Sequence, residues 1–374
     1  MNSTTAARTA GLACVMLALS IAAPATAADR PRTGNVQEAL NALAKTTGVV
    51  GAIGEVYVDG KRVGQGSAGS RLLDGKGGKI PAGSRYRVGS QTKQMTATVL
   101  LQLVREGKLG LDDKLSDVLP QVAQQDLVER ADEITVRQLI RHTSGIPDFF
   151  ASELFDDFDF TTYHPPVELV KATRGLPRTG APGEKFSYSN TNYMLLGMII
   201  EKVTGHPLSA ELARRVFAPV GMNHTYLPTK PPAAIKGPHG HGYYPGPDGK
   251  LRDMDRLNAS YGYAAGGVIS TARDVSAFQR AFVQGKLLPA SLQRVITDPP
   301  EDAPPQPSPG ARLCGSEPAL QAIGGSGSGF VATTFTSPDG RLQLAVSATL
   351  SVSNRDFSPA AIDQVAKAVF CPGK

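Results

Sequence analysis

Two short clusters in this chain combine residue types that carry out acyl-transfer chemistry. The first is Ser90-Gln91-Thr92-Lys93, the one Ser-x-x-Lys in the sequence, followed by Met95, Val99, Leu100, Leu101, Leu103 and Val104. Those apolar residues wrap most of a helix's circumference, so the pattern predicts a buried helix that starts at Ser90 and stops at Gly107. On it, Ser90 occupies the first turn and Lys93 lies one turn on, on the same face. A hydroxyl there sits near the positive end of the helix dipole. A desolvated lysine beside it loses its proton more easily than in water, which is how an unreactive alcohol becomes a nucleophile. The competing reading is an N-capping serine and a solvated lysine.

The second cluster is Tyr188-Ser189-Asn190, the one Tyr-x-Asn, which precedes an apolar stretch from Met194 to Val203 that Gly205 stops. A tyrosine hydroxyl bonded to a lysine relays a proton between nucleophile and leaving group, worth roughly 10²–10⁴-fold in rate. Here the competing reading is a turn tyrosine and a helix-capping asparagine.

The elements that must position these residues are legible on either side. Val36–Lys45 reads as a helix. Val49–Val58 and Arg62–Ser67 read as strands around an Asp59-Gly60 turn, and Phe330–Thr336 and Leu342–Leu350 as strands around Pro338-Asp339-Gly340. Ala360–Phe370 reads as a closing helix. The middle is helical with long Gly/Pro loops. Pro228–Pro247 and the proline-dense Pro299–Pro309 are expected to be irregular. The expected fold is α/β (α+β): an antiparallel sheet flanked by helices and built from both ends of the chain, 28–110 and 260–374, with an all-helical insertion over 111–259.

Composition bounds the rest. The 374 residues are 41% apolar and 19% charged, ordinary for a globular chain. The net charge of +6 is small and not gathered into runs, so neither a nucleic-acid partner nor a charged tail is expected. Arg8, the apolar run Gly11–Ala23 and Ala25-Thr26-Ala27 form a secretory signal pattern over 1–27, too short for a membrane span. A secreted protein without a membrane span is therefore expected. Loss of that segment would remove Cys14 and leave Cys314 and Cys371, an even pair that an oxidising compartment favours as a disulfide over two free thiols. Cys-x-x-Cys and His-x-x-x-His spacings are absent and the six histidines are scattered, so no metal and no cofactor is expected.

Taken in order, these segments resemble the superfamily of serine β-lactamases and penicillin-recognising D-Ala-D-Ala carboxypeptidases, in its secreted carboxypeptidase and class C-like branch. RVGSQTKQMTATVLLQLVREGKL is similar to the family's nucleophile segment, ITVRQLIRHTSGIPDF to its second block, and PGEKFSYSNTNYMLLGMIIEKVTG to its Tyr motif. VFAPVGM and GYAAGGVISTARDVSAF also resemble family blocks. The resemblance implies an acyl-enzyme on Ser90, with Lys93 and Tyr188 sharing the acid and base work. It implies that Asn190 bonds the substrate amide or the lysine, and that the backbone N–H groups of Ser90 and Ser326 form an oxyanion hole. The third motif departs from the family pattern. In Ile323-Gly324-Gly325-Ser326-Gly327-Ser328-Gly329-Phe330, Ile323 stands where the family has Lys or His, while Gly325 still lets substrate approach the strand edge. Arg312, the one arginine nearby, stands at a different offset from the family's and reads as an ordinary surface arginine, with a substitute carboxylate anchor as the alternative. A D-alanyl-D-alanine carboxypeptidase-like or β-lactamase-like hydrolase is therefore expected, acting as a monomer on a peptide or small-molecule substrate such as a peptidoglycan stem peptide. An esterase for uncharged esters is the alternative that Ile323 raises. His142 reads as a structural loop residue, the acidic, aromatic run Glu153–Phe160 as a solvated loop that could line a cleft, and Tyr261 and Tyr263 as candidate walls of the site.

Overall fold

Five antiparallel strands tie the two ends of the chain together. In the computed structural model, which describes residues 33–231, 234–298 and 320–371, the sheet order is β2-β1-β9-β8-β7. These are β1 Val49–Val58, β2 Lys61–Gly69, β7 Gln321–Gly327, β8 Phe330–Thr336 and β9 Leu342–Leu350. Two minor pairs complete the strands: β3 Tyr86–Arg87 with β6 Ile269–Ser270, and β4 Tyr243–Pro245 with β5 Leu251–Asp253. The β1–β9 pairing joins the N-terminal hairpin directly to the C-terminal one. The segment 1–27 and Cys314 lie outside the described residues, as do Arg312 and Pro299–Pro309. The export signal and the Cys314–Cys371 pairing thus remain expectations.

Both faces of the sheet are covered, which explains why its central strands are buried along nearly their whole length. On one face, Leu344, Val346, Ala348 and Leu350 of β9 pack with Ala52 and Val56 of β1 against the helices Val36–Leu43 and Ala360–Phe370. On the other, Ala345 and Ile53 join the larger core of the helices Gln91–Arg105, Asn190–Thr204 and Ala272–Val283. The alternate residues of β9, Gln343, Ser347 and Thr349, are therefore buried too. A Cβ on Gly54 would stand 3.2 Å from Ala345 O and 3.6 Å from the Leu40 side chain, so the glycine lets the first helix pack close on β1.

Several boundaries differ from the sequence expectation. β2 runs from Lys61 to Gly69, with a register shift opposite Val56 and Tyr57. The Pro228–Pro247 stretch is not irregular throughout: Tyr243–Pro245 pairs with Leu251–Asp253 because Gly249, at φ +73°, closes the turn and Gly246 N–H donates to Lys250 O. Ala259–Gly266 is helical, capped by Asn258 and kinked at Tyr263, which sits at φ +30°. The Tyr-motif helix spans Asn190–Thr204, four residues earlier than its apolar run suggests. An acid from another part of the chain causes this: Asp148 Oδ2 accepts from Asn190 N–H at 3.2 Å and so caps the helix start.

Candidate active site

The serine helix is buried around nearly its whole surface, polar residues included. Its polar side chains are spent as anchors. Gln91 accepts from Thr334 of β8 at 2.8 Å, Thr92 from Val268 N–H at 3.1 Å, and Gln94 from Gln279 at 2.7 Å, while Thr96 donates to Ala264 O at 2.9 Å. A helix held on every side fixes the direction of its first turn. Ser90 occupies the N-cap position but makes no capping bond. Its hydroxyl is turned instead to two groups: Tyr188 Oη at 2.8 Å and Lys93 Nζ at 3.2 Å.

Lys93 is buried and has three acceptors within reach: Ser90 Oγ, Asn190 Oδ1 at 2.8 Å and the Ala265 carbonyl at 2.8 Å. No carboxylate touches it among the described ion pairs; Asp148 acts on it only at longer range. Burial therefore dominates and pushes the Lys93 ammonium down to about 7, with the Asp148 charge partly opposing. The nitrogen also lies over the Tyr188 ring, 4.9 Å from its centroid. Asn190 is held in turn by Asp148 Oδ2, which accepts from its side-chain amide at 2.7 Å, so its oxygen is aimed at Lys93.

Tyr188 is 45% exposed, yet its hydroxyl is pushed up to about 12, by burial first, with the Ser90 bond opposing. The phenol is thus protonated at neutral pH. Behind it, the His142 ring stacks at 4.5 Å. His142 is buried and held near 3 by desolvation and the Lys93 charge, so it is neutral. Its Nδ1 accepts from Ser189 N–H at 3.2 Å and faces Asn192 at 3.3 Å, which places the ring proton on Nε2. His142 adopts φ +57°, a conformation its neighbours over-determine.

The strand β7 passes the serine helix at very close range. A Cβ on Gly325 would stand 2.1 Å from Val88 O and 2.5 Å from Ser90 N, and one on Gly89, at φ +56°, would stand 2.7 Å from Ser326 N. The backbones bearing the Ser90 and Ser326 N–H groups are therefore in contact, and only glycine permits it. Ser90, Tyr188, Asn190, Gly325 and Ser326 share one cleft of about 800 Å³. Ile323 is not among its lining residues; it lies on β7 opposite Thr334.

The remaining wall combines Tyr261 and part of the run Glu153–Phe160, both candidates in the sequence, with Phe150, which was not one. Phe150, Phe155 and Tyr261 form an aromatic cluster, with Phe155 edge-on to both others. The run Glu153–Phe160 is thus part of the cleft and not merely a solvated loop. Asp157, from the same run, lines the cleft and accepts from Ser328 just beyond β7; burial holds its carboxyl above the usual range. Tyr263, by contrast, packs against Gly197 and does not line the cleft. The other charged lining groups are Arg87, which donates to Asp255 O at 2.6 Å, and Asp363. A local signal for Phe155 and Asp157 existed in the acidic, aromatic composition. Asp148 and the His142 stack had none, because their partners lie 42 and more residues away.

Comparison with known proteins follows the same lines. The beta-lactamase family model matches residues 36–368. The chain is 32% identical over 254 residues to penicillin-binding protein 4 of Amycolatopsis lactamdurans, covering 68% of this chain and 64% of that one. It thus spans less than two thirds of that relative's length. Among solved structures, a D-stereospecific amidohydrolase from Streptomyces sp. aligns with TM-score 0.75 and 30% identity over 90% of this chain and 98% of its own. A D-amino acid amidase from Ochrobactrum anthropi SV3 aligns with TM-score 0.69 and 25% identity over 89% and 97%. The chain belongs to the beta-lactamase family of serine hydrolases.

Proposed function

We propose that this protein is an exported serine amidohydrolase that forms an acyl-enzyme on Ser90 and takes amides or short peptides whose acyl part carries a free amino group. The carrying observation is the Ser90–Lys93–Tyr188–Asn190 network at the floor of a cleft whose carboxylates outnumber its cations. Neutral Lys93 donates to Asn190 Oδ1 and Ala265 O, which leaves its lone pair for the Ser90 proton. As that proton moves to Nζ, Oγ bonds to the substrate carbonyl carbon. The N–H groups of Ser90 and Ser326 hold the developing oxyanion, at roughly 3–4 kcal/mol for each donor. Tyr188, held protonated, gives its proton to the leaving nitrogen as the C–N bond breaks, and the proton that Lys93 took from serine passes to the Tyr188 phenolate, restoring both groups. Water then attacks the ester, its proton passing to the same groups, and Ser90 is regenerated.

The substrate class follows from charge. With Ile323 in place of a Lys or His, β7 brings no cation to the cleft, so a substrate carboxylate has no partner from that strand. Asp157, steadied by Ser328 beside the aromatic wall, offers an acceptor for an ammonium group. The likeness to a D-stereospecific amidohydrolase supports an amide substrate with a D-configured acyl residue. The earlier carboxypeptidase or β-lactamase expectation needs a carboxylate anchor and is the less favoured reading. The mainly apolar wall favours the esterase alternative for activated esters, which the same acyl-enzyme would serve.

Turnover of D-phenylalanine amide should be compared with its N-acetyl derivative and with a D-Ala-D-Ala peptide. The expected result is tenfold or greater preference for the free amine, abolished in Asp157→Asn. Equal rates for free and acetylated substrate, or dominant release of D-Ala from the peptide, would overturn the substrate assignment. Absence of any covalent fluorophosphonate adduct on Ser90 would overturn the acyl-enzyme itself.

A further inference from the structure

Away from the catalytic network, the loop before β4 carries His239 and His241, and the residue two beyond β5, Asp255, lies beside them. One ligand atom from each of the three falls within 4.8 Å of the others. The imidazole rings are stacked nearly parallel, 5.2 Å apart at 6°. Two like rings held face to face gain little by themselves, so other bonds set the arrangement.

Those bonds have the form of a ligand shell. His239 Nδ1 is 2.5 Å from Gly237 O, and His241 Nδ1 is 2.8 Å from Asp253 Oδ2. Each histidine thus spends Nδ1–H on a backbone carbonyl or a carboxylate. This is the outer-shell bond that orients a metal-binding imidazole and leaves Nε2 as its ligand atom, which in His239 carries the proton shared with Asp255. His239 Nε2 meets Asp255 Oδ1 at 2.6 Å, where a proton holds together two atoms that both bind metals. The loop is clamped rather than loose. A Cβ on Gly240 would stand 2.3 Å from Ile80, and one on Gly242 2.0 Å from Gly329 O. Met254 N–H donates to Gly242 O, and Asp255 N–H to Asp253 Oδ1 at 2.9 Å, which locks the two acids beside the two histidines.

We propose that His239, His241 and Asp255 bind one divalent first-row transition ion, with zinc the best fit. Two imidazoles and a carboxylate suit Zn²⁺, and they leave a position for water in a tetrahedral shell. Ligands at about 2.0–2.1 Å from zinc sit roughly 3.3 Å apart, so the three atoms, within 4.8 Å of one another without an ion, draw in by up to about 1.5 Å to hold one. The ion has a structural role. Asp255 is bonded through its carbonyl to Arg87, and Tyr244 of β4 faces the cleft, so an ion here braces one cleft wall without touching the reacting atoms. Neither Cys-x-x-Cys nor His-x-x-x-His spacing marks the site in the sequence, because Asp255 reaches the histidines only through the β4–β5 hairpin.

The test is isothermal titration of the chelator-stripped, thiol-alkylated chain with ZnCl₂, with CoCl₂ as an optical probe. One zinc per chain is expected, with a Tm raised by several degrees and a visible cobalt d–d spectrum. His239→Ala should weaken zinc binding at least a hundredfold. Asp253→Asn, which takes the charged acceptor from His241 while leaving an amide oxygen for Asp255 N–H, should weaken it about 10–100-fold while the circular dichroism spectrum is retained. No saturable binding, or equal affinity in wild type and both variants, would overturn the site. Fluorophosphonate labelling of Ser90 should be unchanged in Asp253→Asn.

Discussion

Lys93 Nζ donates to Asn190 Oδ1 at 2.8 Å, across 97 residues of sequence, and no carboxylate shares that nitrogen among the described ion pairs. A neutral acceptor in this place satisfies the lysine without charging it. Burial then holds Lys93 down to about 7 against the more distant Asp148 charge, where it can exist as a base at working pH.

The pH–rate profile should follow from this. Acylation rate, read as kcat/KM, should rise through about pH 7 as Lys93 loses its proton. Tyr188, near 12, should bring no falling limb up to pH 10. Asn190→Asp places a carboxylate on Nζ, favours the ammonium, and should move the rising limb to higher pH by one unit or more. A limb that stays in place would show that Lys93 is not the base.

Tyr188→Phe should separate substrates by leaving group. An amide nitrogen must be protonated to depart, whereas nitrophenolate leaves unaided. Amide turnover should fall by about a hundredfold or more, and nitrophenyl ester turnover by much less. Equal losses on both would place Tyr188 on the attack step instead.

Gly325→Ala should damage both fold and site. The new methyl would meet Val88 O and Ser90 N at 2.1 and 2.5 Å, backbone atoms that cannot turn aside. A destabilisation of about 1–3 kcal/mol is expected from overpacking, together with slower Ser90 labelling as β7 shifts away from the serine. Denaturant melts and fluorophosphonate kinetics measure the two effects.

His142 should make stability fall on acidification. The folded protein holds it near 3 against an unfolded value of 6.5, so the unfolded chain binds the extra proton between those limits. Its contribution is full above pH 6.5 and is lost as pH falls toward 3, on the order of a few kcal/mol. His142→Gln should flatten that part of the stability curve. It should also lower kcat more than it changes KM, because Tyr188 loses the ring that steadies it.

The buried helix carrying Ser90 and Lys93 was plain in the sequence, because 3.6-residue periodicity and i, i+3 spacing are local geometry. So were the two hairpins and the terminal helices, whose turn residues and apolar patterns lie within a few positions of each other. What the sequence by itself determined is the serine–lysine pair, the Tyr-x-Asn turn and the elements at both ends of the chain. Only the tertiary structure decided that β1 pairs with β9, that Asp148 caps the Asn190 helix and aims its amide, and that His142 backs Tyr188. It also brought Asp157 to Ser328 in the cleft and Asp255 to the two histidines. Each of these rests on contacts between distant segments, and no local pattern records a contact whose partner is set by how whole layers pack.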